Sequence, residues 1–186
     1  MKRHLVFILF LFILFQGCIP LNNVHEINNY EIKEGKPKAR KEAKRSTRFI
    51  YTNDSPHQIV IRFLEEKYQE KSFNLSMFST TQKLFPEEDT EFLLTFILYT
   101  KQKKYLDLYN LSKNKNKNDP YYNKNLDDPY QDGKRIRYVS VTITGEDRTD
   151  FLAVNSPYRD RLILYLKKLK KEYEIYKSNY YFLNGR

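Results

Sequence analysis

Arg135–Thr144 reads RIRYVSVTIT. Val139, Val141 and Ile143 alternate with Tyr138, Ser140, Thr142 and Thr144, the period of two that a strand with one buried face requires. β-Branched and aromatic side chains dominate, and neither Gly nor Pro interrupts them. This is the firmest strand in the chain. Gly145-Glu146-Asp147 supplies a turn, after which Asp150 to Val154 can return as a partner strand. Asn155-Ser156-Pro157 then signals a helix start, and a helix is predicted over 157–178. Leu162, Leu166, Leu169, Tyr173 and Tyr176 step by four and three residues and form one apolar stripe. Lys167, Lys168, Lys170 and Lys171 stand off it, so the pattern reads as a core-facing helix with a solvated back.

Working back towards the N-terminus, Ser112–Lys134 is low in complexity and twice carries Asp-Pro-Tyr, at Asp119-Pro120-Tyr121 and Asp128-Pro129-Tyr130. It reads as a long exposed loop. Phe92–Tyr99, FLLTFILY, is nearly all apolar, and Tyr105–Leu111 is apolar again after a polar break at Lys101–Lys104. Two antiparallel strands are predicted, over 91–99 and 104–111, with one long helix as the competing assignment. Pro86-Glu87-Glu88-Asp89 resembles a helix start, with acids where the macrodipole favours them. Phe73–Phe85 shows no period that assigns it. Further back, Ser55 can cap and Pro56 can open a helix predicted over 56–71, with Val60, Phe63, Leu64 and Tyr68 at helical spacing. The fold expected from these elements is α+β, a small antiparallel sheet packed with an N-terminal and a C-terminal helix. An all-α helical bundle is the alternative. One folded domain is expected over 49–186, carrying the loop at 112–134.

The first eighteen residues have a different character. Met1–Cys18 reads MKRHLVFILFLFILFQGC. Lys2, Arg3 and His4 precede an unbroken apolar run from Leu5 to Phe15. That run is shorter than the roughly 20 residues a spanning helix needs. It has the length of a secretory h-region. Phe15-Gln16-Gly17-Cys18 resembles the lipobox of bacterial lipoproteins, with an apolar residue three before the cysteine and a small residue just before it. The bulky Phe15 and the polar Gln16 depart from the commonest form, and in that looseness resemble the spirochaetal lipoproteins. The resemblance implies cleavage between Gly17 and Cys18. It implies a diacylglyceryl group on the Cys18 sulfur and a further acyl chain, of the palmitate kind, on its amine. It also implies an envelope protein of the outer membrane, often a surface antigen. Cys18 is the chain's single cysteine, so no internal disulfide can form.

The formal charge of +10 falls by two when Lys2 and Arg3 leave with the leader. A basic balance suits anionic lipid or an acidic polysaccharide, and export argues against nucleic acid. Residues 18–48 read as the lipidated cysteine and a flexible basic tether, which as a coil of about 30 residues would span roughly 30 Å. Within it Lys36, Lys38, Arg40, Lys41, Lys44, Arg45 and Arg48 face one acid, Glu42, and are the candidate polyanion contacts.

Residue spacing offers no recognisable catalytic motif. The chain holds three histidines, of which His4 lies in the leader. His25 and His57 have no His-Glu-x-x-His context, and no cysteine pair exists to hold zinc. No Gly-x-Ser-x-Gly elbow or glycine-rich phosphate loop occurs. Asp128-x-Tyr130-x-Asp132-Gly133 begins like a calcium loop, but Val139 stands where its twelfth-position Glu belongs. No catalytic residue, metal ligand or cofactor is therefore assigned. The function expected is a lipid-anchored, surface-displayed protein that binds a host or environmental macromolecule, protein or acidic polysaccharide, without catalysis. A periplasm-facing assembly factor is the alternative, and an enzyme of unrecognised type the third.

Overall fold

Alternation of burial sets the architecture. In the computed structural model, which describes residues 18–22, 24–35, 46–72, 74–107 and 130–184, six strands and two helices occur in the order β1 (Cys18–Pro20), β2 (Glu31–Lys33), β3 (Arg48–Asn53), α1 (His57–Tyr68), β4 (Met77–Gln82), β5 (Phe92–Asp107), β6 (Tyr130–Thr144) and α2 (Arg159–Leu183). The sheet order is β1-β5-β6-β3-β2, with β4 also on β5. The pairs β1–β5, β2–β3, β3–β6 and β4–β5 are antiparallel. The fold is α+β, with an early and a late helix. The chain forms two compact units, Glu26–Thr100 with Ile136–Arg186, and Met1–His25 with Lys101–Arg135.

In the larger unit Phe92, Leu94, Phe96 and Leu98 of β5 turn inward with Val139, Val141 and Ile143 of β6 and Phe49 and Tyr51 of β3. Ile59, Val60, Phe63 and Leu64 of α1 and Leu162, Leu166, Leu169 and Tyr173 of α2 complete this core. Each fully buried side chain of this size contributes about 1.5–3 kcal/mol. The helices meet through Phe63, whose ring lies 5.5 Å from Tyr173 and 5.4 Å from Tyr176. A hydrogen bond of 2.7 Å between the Tyr68 and Tyr165 hydroxyls closes the other end of the contact.

Several sequence expectations are corrected here. Ser55 does not cap α1. The N-cap is Pro56, without a side-chain bond, because the Ser55 hydroxyl is taken inward by Asn53 and Tyr173. The strand expected over 91–99 and the described part of that expected over 104–111 are one, Phe92–Asp107, and residues 108–111 lie outside the described residues. Lys101–Lys104, which reads as a break, lies within that strand. Pro86–Asp89 is a turn, with Glu88 N–H bonded to Phe85 O at 3.0 Å. Asp150–Val154 does not return as a strand. It touches the sheet at one bridge, Thr144 to Asp150, since the Asp150 carboxylate accepts Thr47 N–H at 2.6 Å and Leu152 N–H at 3.1 Å. The last helix runs on to Leu183, held by Tyr180 and Tyr181 against the core.

Within the expected tether, the described residues Cys18–Pro20 and Glu31–Lys33 are strands. Glu31–Lys33 pairs with β3, with Lys33 opposite Arg48, and Ile27 is buried. Thr47 Oγ donates to Glu34 Oε2 at 3.2 Å, and Arg159 holds the other Glu34 oxygen at 2.7 Å. Lys36, Lys38, Arg40, Lys41, Lys44 and Arg45 themselves lie outside the described residues, as do Gly17 and residues 112–129 of the expected loop. Residues 130–134 of that loop belong to β6.

Candidate functional site

β4 sits on one side of β5 and has no second ladder partner among the described residues. Its sequence, MFSTTQ, alternates exposed Met77, Ser79 and Thr81 with buried Phe78 and Thr80. Phe78 enters the core, 6.1 Å from the Phe96 ring. Thr80 is admitted there because its hydroxyl is satisfied: it donates to Glu70 Oε1 at 2.6 Å and accepts from Gln82 Nε2 at 2.8 Å. A buried hydroxyl without partners would cost about 1–3 kcal/mol.

The register fixes which backbone groups face outward. Met77 pairs with Ile97, Ser79 with Thr95 and Thr81 with Leu93. Leu98 N–H donates to Ser76 O at 2.8 Å, so Ser76, Phe78 and Thr80 are the hydrogen-bonded positions of the ladder. By the alternation of an antiparallel pair, the N–H and C=O of Met77, Ser79 and Thr81 point away from β5. Those of Met77 are already used, by Asn74 O at 3.3 Å and by the Ser72 hydroxyl at 2.9 Å. Ser79 and Thr81 thus offer two donors and two acceptors along the edge. The adjoining sheet surface is apolar and hydroxylated. Leu75 is 57 % exposed, Met77 47 % and Ile97 40 %, and Ser79 Oγ bonds Thr95 Oγ at 3.3 Å.

Natural edges are usually blunted by charge, proline, bulges or brevity, because a bare edge is a template for another strand. β4 carries none of these over its six residues. The sequence signal was weak because one inward position is a threonine, so no apolar alternation marks Phe73–Phe85 as a strand.

The other polar assembly is sealed. Asn53 Oδ1 accepts Ser55 N–H at 3.2 Å, Ser55 Oγ at 2.8 Å and Tyr173 O–H at 2.9 Å, while its amide donates to Ser55 O at 2.9 Å. Ser55 and Tyr173 also share a short hydrogen bond. All three residues are buried, and burial pushes the Tyr173 phenol up to about 12. Through these bonds the trio ties the end of β3 to α2. At the surface, Arg161 bonds Glu87 and Glu88 and lies 3.7 Å over the Phe85 ring, which fastens the β4–β5 connection to α2. Among the described residues no group of three His, Cys, Asp or Glu is placed to hold a metal ion.

Of the residues singled out from sequence, two have described backbone. Cys18 opens β1, opposite Asp107. Arg48 lies in β3 between β2 and β6. They fall in different units. No described helix is long and apolar enough to cross a membrane. Comparison with protein-family profiles, with curated proteins and with solved structures gives no match.

Proposed function

We propose that this chain is a lipid-anchored envelope protein, acylated at Cys18 and displayed outward, which captures an extended segment of a partner protein by strand addition at β4. The observation that carries the capture is the uncharged, unbroken β4 edge with outward-facing Ser79 and Thr81. Main-chain bonds give affinity in this mode, and the alternate pockets flanking the edge give specificity. Here exposed Leu75, Met77 and Ile97 flank the edge.

A peptide segment fits the edge better than a second copy. Six paired residues span about 20 Å, and an edge of that length buries far less than the roughly 1,200 Å² of a stable protein interface. A library of short alternating valine–threonine peptides is the direct probe. Binding should protect the Ser79 and Thr81 amides from hydrogen exchange and should be lost in Thr81→Pro. Binding that survives both Ser79→Pro and Thr81→Pro rejects the edge, and concentration-dependent dimerisation through β4 assigns it to a second copy.

The anchor and the display are tested separately. Mass spectrometry of the native protein should show a lipid on residue 18, and a bare sulfur or an intact leader overturns the anchor. Protease added to intact cells should remove the protein. Its survival while a surface marker is digested favours the periplasm-facing assembly role. Acidic polysaccharide remains the alternative ligand, through Lys36–Arg48, and requires heparin retention that falls steeply with salt.

A further inference from the structure

The open part of β4 is pinned to one register. Met77 has both outward groups engaged, by Asn74 O and by the Ser72 hydroxyl. An added strand therefore finds its bonds at Ser79 and Thr81, and Thr80 is the residue between them. In antiparallel addition the incoming residue opposite Thr80 forms a pair without backbone bonds, with Cα atoms about 4.5 Å apart. Its side chain falls on the same face as Thr80, the helix side of the sheet. The two residues beside it turn to the other face, where Met77 is exposed.

The helix side carries an acid at this point. α1 ends at Gln69, whose left-handed backbone, φ 56°, turns the chain, and Glu70 follows at once. Glu70 Oε1 accepts the Thr80 hydroxyl at 2.6 Å, so the carboxylate is held against the residue that an added strand would face. Glu70 is exposed. A carboxylate has about four lone-pair sites, and Thr80 takes one. Among the described residues no lysine or arginine pairs with Glu70, its chain neighbour Lys71 included. The other lysines nearby in the chain are engaged, Lys67 by Glu172 at 2.6 Å and Lys83 by Asp89 at 3.6 Å. Side chains directly opposite in a sheet have Cβ atoms about 5 Å apart, within the span of a lysine's flexible stem.

We propose that the segment captured at β4 carries a basic residue opposite Thr80, with an apolar residue on either side of it, and that Glu70 selects this pattern. The proposal rests on the strand-addition reading and names the chemistry of its partner. Glu70 supplies the charge, Thr80 fixes the carboxylate, and the outer face beside Met77 receives the flanking apolar side chains. An acid at the selected position would meet Glu70 as a like charge, which is unfavourable across a strand pair. The chain's formal charge of +10 repels a basic segment at long range, so a preference for lysine reports a local acid.

Short peptides with blocked ends test this on the full chain. Each alternates threonine and valine, and the central residue, on the threonine face, is Lys, Thr or Glu. Titration calorimetry should rank them in that order, with about fivefold between neighbours, the upper size of an exposed ion pair. Glu70→Gln keeps an oxygen for the Thr80 hydroxyl and removes the charge. On that variant the three peptides should bind alike, and the urea midpoint should stay that of the parent. Equal affinity of the parent for the Lys and Thr peptides overturns the selection, while protection of the Ser79 and Thr81 amides leaves the edge standing. A lysine preference that persists in Glu70→Gln overturns it as well, since another acid then does the selecting. If none of the peptides binds, strand addition at β4 fails and takes the role of Glu70 with it.

Discussion

The larger unit has two strand edges, and they are built on opposite plans. β2 is three residues, Glu-Ile-Lys, with Lys33 3.5 Å from Glu31. β4 is six residues without a charge. A short charged edge repels a further strand, since pairing would strip water from both ends of an ion pair. A longer neutral edge with hydroxyls and apolar side chains strips little. The same sheet thus closes one side and leaves the other open. The difference lies in chemistry and length rather than in backbone geometry, so substitution can exchange the two.

The largest effect separates the two sides of β4 itself. Thr80→Pro removes a ladder donor and the hydroxyl held by Glu70. It should cost about 3 kcal/mol or more, read as a drop in the urea midpoint. Thr81→Pro, one residue on, removes only an outward donor and should cost about 1 kcal/mol or less. Equal losses would show that the register is not the one described. Next comes the closed side, where β3 is tied to α2. Asn53→Ala leaves Ser55 and Tyr173 with unmet bonds and should cost about 2–3 kcal/mol, whereas Tyr173→Phe should cost less.

Exchanging the edges is milder. Glu31→Val with Lys33→Val removes one exposed ion pair, worth about 1 kcal/mol at most, yet it gives β2 the uncharged character of β4. Sedimentation velocity should then show self-association absent from the parent, and a monomer would mean that brevity alone guards β2. The smallest effect is in pH. β4 carries no titratable side chain, so its peptide binding should stay flat across neutrality. At the start of α1, burial first and then the nearby Arg137 hold the His57 imidazole below its ordinary value of 6.5. The folded state therefore prefers neutral His57. That contribution is present above 6.5 and fades as pH falls through the lower folded value. His57→Gln should flatten the acid limb of a melting-temperature profile.

Much of the fold was legible because burial writes itself as a period. The Val139–Val141–Ile143 alternation and the Leu162–Leu166–Leu169–Tyr173 stripe both face the core as read. What escaped was chemistry that satisfies itself locally. Ser55 looks like a cap and Asp150 like a strand residue until the partners that claim them, Tyr173 and Thr47, come from a hundred or more residues away in the chain. The apolar residues of 24–34 were too few to show a period, yet Ile27 and Tyr30 find places, the latter stacked 4.8 Å from Phe49. The candidate edge was missed for the same reason. Thr80 is an inward residue that looks like an outward one.

One contact has a practical consequence. Because Glu34 and Thr47 hold each other, the connection between them begins and ends at the same place. Extending such a connection twofold costs only about 0.6 kcal/mol in closure entropy. A foreign epitope or affinity tag spliced among residues 36–45 would leave the protein's melting behaviour nearly untouched, which offers a ready handle for tracking the molecule in living cells.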